Sequence, residues 1–401
     1  MEFGRPVFAV DACRSPIGKY GGKLAGVRPD DLAAHVLRAV VARNGLDPSC
    51  VDEVVFGCAN QAGEDNRNVA RMAALLADFP FSVPALTVNR LCASGLDAVA
   101  AAARSIAVGE ADVVLAGGVE SMSRAPWAVA KPHTEPPRGN NVMYDTALGW
   151  RFPNPKLAAR FALEQMGETA ENLADHYAIS RLAQDQFAVS SHAKAIAARD
   201  AGRFANEIVP IEVAVGKGVV WVDADEQPRP DCTLEALTKL RPAFRAGGSV
   251  TAGNSSTLND GAAVVLLASE QAVNTHGWQP LARMTGFAQA GVDPRTMGIG
   301  PVPAIRKLLA RTKWRPEDVQ WLELNEAFAA QALSVLAELP FDREVVNPDG
   351  GAIALGHPLG CSGARIVGHL LFAMRANGLQ RGIASLCVGV GQGAACSVER
   401  V

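Results

Sequence analysis

Part of this chain repeats itself at an offset of 268 residues, with residue 304 matching residue 36. Residues 36–57 align without a gap to residues 304–325. The identical positions are Arg38, Ala42, Arg43, Pro48 and Val51, which meet Arg306, Ala310, Arg311, Pro316 and Val319. The same offset places Ser94-Gly95 on Ser362-Gly363, and each pair begins a long apolar helix pattern. Two separate elements that share one offset predict a duplicated core with two similar halves.

The beginning of the chain alternates between strand-like and helix-like patterns. Apolar runs typical of strands occur at residues 6–11, 52–57 and 112–117. Alanine-rich stretches typical of helices occupy residues 30–44 and 95–108. This alternation predicts the α/β class, with a sheet that is covered by helices on both faces.

The middle of the chain differs in amino-acid composition from both halves. Residues 124–248 contain many prolines and scattered arginines, and a polar helix is predicted at residues 169–201. Insertions of this size usually carry function. Residues 251–269 become apolar again and are predicted to return to the first sheet as a strand. The predicted domains are a first half at residues 1–123 plus 251–277, an inserted loop domain at residues 124–250, and a second half at residues 278–401.

Composition argues against several classes of protein. Hydrophobic residues make up 49% of the 401 residues and charged residues 20%, which is typical of a globular chain rather than a disordered one. A net charge of -3 gives the protein no overall positive potential that would attract nucleic acid. No uninterrupted apolar run approaches the roughly 20 residues of a membrane-spanning helix. We therefore expect neither nucleic acid nor a membrane as a partner.

The spacing of the cysteines and the sequences of the two termini indicate the cellular compartment of the protein. The eight cysteines include no C-x-x-C pair and are too sparse for a disulfide scaffold, so no metal site is predicted and a reducing compartment is favoured. The N-terminus is predicted to be a strand rather than a signal peptide, and the C-terminal residues do not form a peroxisomal signal. The expected location is the cytoplasm.

Cys92 is the candidate nucleophile. It lies in the motif NRLCASG at residues 89–95, directly before an apolar helix pattern at residues 96–108. A thiol at a helix N-terminus is close to unpaired backbone N–H groups and to the positive end of the helix dipole, and both lower the pKa of the thiol. A buried structural cysteine is the commoner case. The glycine-bearing frame favours covalent catalysis because it lets a bulky substrate reach the sulfur.

His357 is the candidate base. It lies in the motif GHPLG at residues 356–360, where Pro358 fixes the backbone and holds the imidazole on a stiff turn. A single histidine is more often structural. This turn, however, occupies the position in the second half that corresponds to Cys92 in the first. If the two helix N-termini face each other in a two-fold pseudo-symmetric core, His357 approaches Cys92 as a general base.

Two further elements complete the candidate site. Cys387 ends an apolar strand pattern at residues 383–386 and precedes a Gly-x-Gly-x-Gly run that begins at Gly389. Too few residues follow this run for it to bind a nucleotide phosphate at a helix. Close approach of a substrate to the backbone is favoured instead, with the N–H group of Gly389 available to an oxyanion. Asn325 follows another strand pattern, where its amide either positions a water or caps the next helix.

A set of cysteine, histidine and asparagine is also found in papain-like hydrolases. The sequence motifs around these residues differ here from those of papain-like hydrolases, and a second active-site cysteine has no role in that class. A second thiol can instead serve as a separate proton carrier, so the combination points to covalent thioester chemistry.

In these motifs the chain resembles the thiolases along essentially its whole length. The matching stretches are residues 89–95, 117–123, 251–254, 258–262, 325–328, 347–363 and 387–391. The resemblance implies two duplicated mixed α/β halves in a five-layered α-β-α-β-α core, with the loop domain inserted in the first half. It also implies an acyltransferase that takes acyl-CoA and coenzyme A as substrates, has no permanently bound cofactor, and forms a homodimer or homotetramer.

The resemblance assigns a role to each candidate. Cys92 would take the acyl group from a 3-oxoacyl-CoA, His357 would activate Cys92, and Cys387 would carry a proton to and from the α-carbon of the acetyl-CoA enolate. One oxyanion hole would consist of His357 and a water held by Asn325, and the other of the backbone N–H groups of Cys92 and Gly389. Fixed donors of this kind stabilise the enolate that carbon–carbon cleavage leaves.

Coenzyme A would lie along the loop domain. Ser256 matches a position that contacts the pantetheine, and Arg229 matches one near the nucleotide. The motif Gln165-Met166-Gly167 departs from the family, since a histidine often precedes the methionine, and Thr257 replaces a frequent glycine. The substrate-binding candidates in this part of the chain are Ser256, Arg229, Met166 and Phe328.

Residues 60–71 and 89–95 most resemble the 3-oxoadipyl-CoA thiolases of bacterial aromatic degradation. A dicarboxylic acyl chain needs a cation for its far carboxylate, and Arg67 or Arg90 could supply it. These arginines could equally pair with Glu64 or Asp65, or contact a partner subunit.

Three other functions remain to be weighed. An acetoacetyl-CoA or general 3-ketoacyl-CoA thiolase is the alternative within the family. A decarboxylating condensing enzyme would carry a second histidine, where this chain has Asn325 and Cys387. A thiolase-like lipid-binding protein without catalysis would have no need of paired thiols.

Overall fold

A computed structural model describes residues 4–132 and 138–401. Across these residues the chain forms fourteen strands and twelve α-helices. The strands are β1 (Val7–Arg14), β2 (Gly18–Lys19), β3 (Glu53–Gly57), β4 (Ala85–Val88), β5 (Val113–Ser121), β6 (Trp127–Val129), β7 (Met143–Asp145), β8 (Ile211–Val215), β9 (Gly218–Val222), β10 (Asn259–Ser269), β11 (Ala282–Gly291), β12 (Trp321–Leu324), β13 (Arg381–Val388) and β14 (Gln392–Glu399). The helices are α1 (Pro29–Arg43), α2 (Val69–Leu76), α3 (Ser94–Val108), α4 (Pro155–Ala158), α5 (Met166–His176), α6 (Arg181–Asp200), α7 (Leu234–Thr238), α8 (Glu270–His276), α9 (Pro301–Thr312), α10 (Ala329–Glu338), α11 (Ala352–Leu355) and α12 (Leu359–Asn377).

The strands show the duplication directly. The main sheet runs in the order β12-β13-β14-β11-β1-β10-β5-β3-β4, with β2 paired to β10. Each half contains antiparallel pairs and a parallel pair at the same place, β3 with β5 in the first half and β12 with β13 in the second. The two half-sheets join only where β1 meets β11, at Phe8↔Arg283 and Ala9↔Ala282. β3 and β12 begin at residues 53 and 321, so the predicted offset of 268 is confirmed.

Three apolar clusters define five layers. Helices α3 and α12 lie in the middle and pack between the inner faces of both half-sheets. Helices α1 and α2 cover the outer face of the first half-sheet, and α9 and α10 cover the outer face of the second. Along β5, Val114 and Ala116 face the middle layer, whereas Val113 and Leu115 face the outer helices. Because helices cover both faces, the central strands are apolar on both sides. The five-layered α-β-α-β-α architecture is confirmed.

The two middle helices meet at their N-termini, where glycines permit a close approach. A Cβ atom on Gly95 of α3 would lie 2.6 Å from the carbonyl oxygen of Gly360 in α12. A Cβ atom on Gly363 would collide with the backbone of Leu96, and one on Gly118 would collide with Gly360. Only residues without a side chain fit these contacts. The helix N-termini that follow Cys92 and His357 therefore face each other, as the sequence predicted.

The segment between the halves contains α4 to α7 and two small hairpins, β6–β7 and β8–β9. The prediction of one helix at residues 169–201 is wrong, because α5 and α6 are separate helices. Ala178 between them has a φ angle of 51°, a left-handed conformation that cannot continue a helix. The side chain of Ser180 then caps α6. The predicted return to the first sheet is confirmed, since β10 pairs with β1 and β5.

One stretch in the described part of the chain is long and apolar enough to cross a membrane by length and composition alone. It covers residues 91–108, which contain α3, and 61% of it is buried inside the fold. Because α3 belongs to the middle layer, packing in the core accounts for its apolar composition.

Candidate active site

Cys92 lies in a tight turn between β4 and α3. The preceding residue, Leu91, has a φ angle of 46°, a conformation that costs energy for any residue with a side chain. The side-chain oxygen of Asn89 accepts the N–H group of Leu91 at 2.8 Å. The hydroxyl of Ser94 accepts the N–H group of Arg90 at 2.9 Å and donates to the carbonyl oxygen of Leu91 at 2.7 Å. Local side chains thus hold the strained turn that presents the thiol.

The pKa of the Cys92 thiol is raised to about 11 by burial, while the backbone N–H groups of Gly389 and of Cys92 itself act in the opposite direction. The prediction that the helix N-terminus gives Cys92 a lowered pKa is therefore wrong, because desolvation outweighs the donors. The backbone N–H groups of Gly389 and Cys92 nevertheless favour an anion in this place.

The imidazole of His357 is buried directly before α12. Its Nδ1 atom lies 2.7 Å from the hydroxyl of Ser362, and its backbone N–H group donates to the side-chain oxygen of Asn259 at 2.9 Å. Ser362 donates its single hydroxyl hydrogen to the carbonyl oxygen of Pro358 at 2.8 Å. It must therefore accept from Nδ1–H, which leaves the lone pair on Nε2. Burial, and next the charge of Arg365, lower the pKa of His357 to about 3, so the ring is neutral at pH 7.

Asn325 lies directly after β12 and is buried next to His357. Its Nδ2 atom is 3.5 Å from Nε2 of the imidazole, and its Oδ1 atom has no hydrogen-bond partner among the described residues. The alternative that Asn325 caps a helix is wrong, because α10 begins at Ala329 with Phe328 at the N-cap. A buried amide with an unpaired oxygen beside the candidate base fits a role in holding a water.

Cys387 is buried at the end of β13, and this strand packs against the turn that carries Cys92. Burial raises the pKa of the Cys387 thiol well above its usual value, and the charge of a Cys92 thiolate acts in the same direction. The segments that carry the two cysteines are therefore neighbours. Cys387 belongs to an apolar cluster with Phe328, and Met166 packs against that cluster. A thiol that stays protonated is suited to act as a general acid.

Three of the predicted substrate contacts lie beside this cluster. Met166 begins α5, and its sulfur would be 3.5 Å from a Cβ atom placed on Gly389. Phe328 contacts Phe244 of the loop domain edge to face, with ring centroids 5.9 Å apart. Ser256 donates its backbone N–H group to the carbonyl oxygen of the residue before Phe328, at 2.9 Å. The loop domain and the second half thus form one wall next to Cys387.

Arg229 is placed differently. It is exposed, and its backbone N–H group donates to Nδ1 of His192 on α6 at 3.1 Å. Within the described residues, no hydrogen bond connects Arg229 to the groups around Cys92. Its predicted contact with the nucleotide stays a prediction.

Arg90 is occupied by the protein itself. Its guanidinium forms an ion pair with Asp97 and donates to the side-chain oxygen of Gln392 at 2.6 Å. The suggestion that Arg90 pairs with Glu64 or Asp65 is therefore wrong. Because its donors are engaged in this way, Arg90 is a weak candidate for a substrate carboxylate.

Arg67 has no ion pair among the described residues. It is exposed and has a φ angle of 62° in the loop before α2. Glu64 is paired with Arg28 and Arg124 instead, so the suggested pairing of Arg67 with Glu64 is wrong. The suggested pairing with Asp65 is wrong as well, since the oxygen atoms of Asp65 accept from Gly63 and Cys58.

Two residues that support the base were not singled out in the sequence. Ser362 fixes the tautomer of His357, and Asn259 holds its backbone. The repeat contained a signal for the first, because the offset places Ser362 on Ser94, which braces the Cys92 turn. Nothing in the local sequence of Asn259 indicates a contact with a residue so distant in the chain.

Three buried groups, Cys58, Asp65 and Glu120, lie within 4.8 Å of one another and have the side-chain types that can hold a metal ion. Their acceptor atoms are already bonded to protein donors. Both oxygen atoms of Glu120 accept backbone N–H groups. Asp65 accepts one backbone N–H group and the thiol of Cys58. We therefore interpret the cluster as structural.

Comparison with protein families and curated proteins gives consistent matches. The family model described as "Thiolase, N-terminal domain" matches residues 7–271, and "Thiolase, C-terminal domain" matches residues 278–400. A Pseudomonas aeruginosa protein named beta-ketoadipyl-CoA thiolase is 56% identical over 400 residues, covering 99% of this chain and 100% of the relative. An Escherichia coli protein named 3-oxoadipyl-CoA/3-oxo-5,6-dehydrosuberyl-CoA thiolase is 52% identical over 401 residues, with coverage of 99% and 100%.

Solved structures show the same fold. The crystal structure of the Bacillus anthracis acetyl-CoA acetyltransferase has a TM-score of 0.94 and 46% identity, and each chain is covered completely. Human mitochondrial 3-ketoacyl-CoA thiolase in complex with CoA has a TM-score of 0.91 and 40% identity, covering 100% of this chain and 99% of the human one.

Proposed function

The chain belongs to the thiolase family and is an acyltransferase, and from that premise we propose that it cleaves 3-oxoadipyl-CoA with coenzyme A. The products are acetyl-CoA and succinyl-CoA. The names of relatives that are 52% and 56% identical support this substrate. One observation of the structure carries the chemistry: the turn of Cys92 packs against both the strand of Cys387 and the helix that follows His357, and Nδ2 of Asn325 lies 3.5 Å from Nε2 of His357.

The first half of the proposed reaction forms an acyl-enzyme. The thiol of Cys92 gives its proton to Nε2 of His357 as the sulfur attacks the 3-oxo carbon. The resulting oxyanion accepts the N–H groups of Cys92 and Gly389. The bond between C2 and C3 then breaks, and its electron pair forms the enolate of acetyl-CoA. Protonated His357 and a water held by Asn325 stabilise the enolate oxygen while Cys387 donates its proton to C2.

The second half transfers the acyl group to coenzyme A. The thiolate left on Cys387 takes the proton of the incoming coenzyme A thiol, which attacks the succinyl thioester on Cys92. The carbon–sulfur bond to Cys92 breaks, and the released thiolate recovers its proton from His357. Each residue returns to its starting protonation state. No resident cofactor is needed in this scheme.

For the far carboxylate of the substrate we propose Arg67. Its guanidinium is not ion-paired among the described residues, whereas that of Arg90 is held by Asp97 and Gln392. A carboxylate and a guanidinium can form two parallel hydrogen bonds, which distinguishes a dicarboxylic acyl chain from a neutral one.

The test compares coenzyme-A-dependent cleavage of 3-oxoadipyl-CoA, acetoacetyl-CoA and a longer 3-ketoacyl-CoA by the same enzyme. We expect the highest kcat/KM for 3-oxoadipyl-CoA, and Arg67→Gln should lower it for that substrate alone. Arg90→Gln is the matched control, because it removes an arginine whose guanidinium is already engaged by Asp97 and Gln392. Cleavage of acetoacetyl-CoA without cleavage of 3-oxoadipyl-CoA would favour the alternative function, acetoacetyl-CoA thiolase, which the 46% identity to an Allochromatium vinosum acetyl-CoA acetyltransferase also supports.

We also propose that the protein forms homo-oligomers in the cytoplasm. β4 is the edge strand of the first half-sheet, and its Leu86 is 45% exposed. Phe81 before it is 88% exposed, and Leu76 of α2 is 43% exposed. An edge strand flanked by exposed apolar side chains is suited to pair with a second copy. Light scattering of the native enzyme and of Leu86→Arg tests this, and a monomeric native enzyme would contradict it.

A further inference from the structure

Glu120 is a buried carboxylate at the place where the two halves meet. It lies on β5 and is only 1% exposed. Its Oε2 atom accepts the N–H groups of Ala59 at 2.9 Å and of Gly360 at 2.8 Å, and its Oε1 atom accepts the N–H group of Asn60 at 3.0 Å. A charged acceptor with three backbone donors is a strong anchor, and losing it would leave three N–H groups unpaired, two of them in buried positions.

One of these donors belongs to the helix that follows the base. Gly360 is the second residue of α12, three positions after His357. β5 and α12 are in direct contact at this point, because a Cβ atom on Gly360 would lie 2.5 Å from the carbonyl oxygen of Val119. The carboxylate therefore fixes the start of α12 against β5. It also places a negative charge at the positive end of the helix.

The other two donors lead to the nucleophile. Ala59 and Asn60 lie in the loop after β3, and the carbonyl oxygen of Ala59 accepts from Nδ2 of Asn89 at 3.0 Å. The side chain of Asn89 in turn holds the N–H group of Leu91, directly before Cys92. A short chain of hydrogen bonds thus links Glu120 to the strained turn of Cys92 on one side and to the helix of His357 on the other.

We propose that Glu120 is a positioning residue that holds the helix of His357 against the loop of Cys92. It touches no reacting atom and acts through both neighbours. The proposal rests on the proposed function only in the assignment of Cys92 and His357. Its geometric basis is that one carboxylate joins two segments that are far apart in the chain.

The charge of Glu120 provides a second, independent signal. Burial raises the pKa of Glu120 to about 7, with Asp65 acting in the same direction and the three N–H groups opposing it. The negative charge of Glu120 contributes to the raised pKa of the Cys92 thiol. The other ionisable groups that interact with Glu120 are Cys58 and Cys361. Removing the charge should therefore lower the pKa of the Cys92 thiol.

The test uses two variants of the full-length enzyme. Glu120→Gln removes the charge and replaces one acceptor oxygen by an NH₂ group, which cannot accept the backbone N–H group that faces it. Glu120→Asp keeps the charge, but its side chain is one methylene group shorter. Both should lower kcat for thiolysis by roughly 100-fold, the effect of a displacement of about 1 Å, with KM changed less than kcat. In alkylation of Cys92 by iodoacetamide, the pH midpoint should fall in Glu120→Gln and stay in place in Glu120→Asp.

Asp65→Asn is the matched control. It removes a charge from the same buried cluster but leaves the three bonds to Glu120 intact, so kcat should stay within a few-fold of the native value. Native kcat in Glu120→Gln and Glu120→Asp would overturn the proposal, as would an unchanged alkylation midpoint in Glu120→Gln. Because alkylation needs no acyl-CoA, this readout remains valid even if the substrate is not 3-oxoadipyl-CoA. If Glu120→Gln fails to fold, Glu120→Asp decides the question through kcat.

Discussion

The two middle helices begin in the same way but support different chemistry. In the first half, the hydroxyl of Ser94 accepts the backbone N–H group of Arg90 at 2.9 Å and so braces the turn of Cys92. In the second half, the corresponding hydroxyl of Ser362 accepts from the imidazole of His357 at 2.7 Å. Equivalent serines therefore hold a backbone in one half and the imidazole of the candidate base in the other.

A single residue accounts for this difference. The offset of 268 residues places Pro358 on Arg90. Proline has no N–H group, so nothing in the backbone competes for the acceptor of Ser362. The two halves have facing helix N-termini, and the proline in the second leaves its serine available to orient the candidate base. The candidate nucleophile and the candidate base thus lie in equivalent places of one repeated fold.

The largest effect should come from the first half. In Cys92→Ser, the hydroxyl is a far weaker acid than the thiol, and His357 cannot deprotonate it effectively. We expect thiolysis to fall by at least about 10⁴-fold, as when other covalent enzymes lose their nucleophile. Mass spectrometry should show no acyl-enzyme. Cys50→Ser, at an exposed cysteine, is the control and should retain native turnover.

A second variant separates the two steps. Cys387→Ala should lower thiolysis by about 10³-fold, within the range for loss of a general acid or base. Cys92 of this variant should still accept an acyl group from a simple thioester, which mass spectrometry of the acylated peptide detects. If Cys387→Ala lost acylation as completely as Cys92→Ser, the second thiol would belong to the nucleophilic step, and the assigned division of roles would be wrong.

The pH dependence tests the resting charge of the pair. Burial raises the pKa of the Cys92 thiol to about 11 and lowers that of His357 to about 3, so both groups are neutral at pH 7. The thiolate fraction then rises tenfold per pH unit, and alkylation of Cys92 should increase about 100-fold from pH 7 to pH 9. Peptide mapping separates this signal from that of Cys50. A plateau below pH 8 would show a thiolate–imidazolium pair in the free enzyme instead.

Much of the fold could be predicted because the repeat is visible in the chain itself. The offset that aligned residues 36–57 with 304–325 also aligns β3 with β12, and the glycines at positions 95 and 363 marked where the two helices meet. The sequence did not predict that residues 169–201 divide into two helices. Alanine favours helices, so nothing in this alanine-rich segment indicated the left-handed backbone at Ala178.

The site was only partly predictable. Cys92, His357, Cys387 and Asn325 lie in recognisable motifs, and the structure brings their segments together. The pKa of Cys92 was predicted in the wrong direction, because the sequence shows the helix N-terminus but not how strongly the folded chain desolvates the thiol. The roles of Asn259 and Glu120 depend on contacts across the two halves, which no local pattern reveals.

The smallest expected effect tests the comparison most directly. Ser362→Ala removes the acceptor that keeps the proton on Nδ1 of His357. A hydrogen bond contributes about 1 kcal/mol, so acylation of Cys92 should slow roughly five- to tenfold. Nitrogen NMR of the imidazole should show a mixture of tautomers, and Ser362→Thr, which keeps the hydroxyl, should restore both. Ser94→Ala should instead lower the free energy of unfolding by about 1 kcal/mol, since it leaves a partly buried N–H group unpaired, and should leave the tautomer of His357 unchanged. If both alanine variants shifted the tautomer equally, the two serines would have the same role, and Pro358 would not account for the difference between the halves.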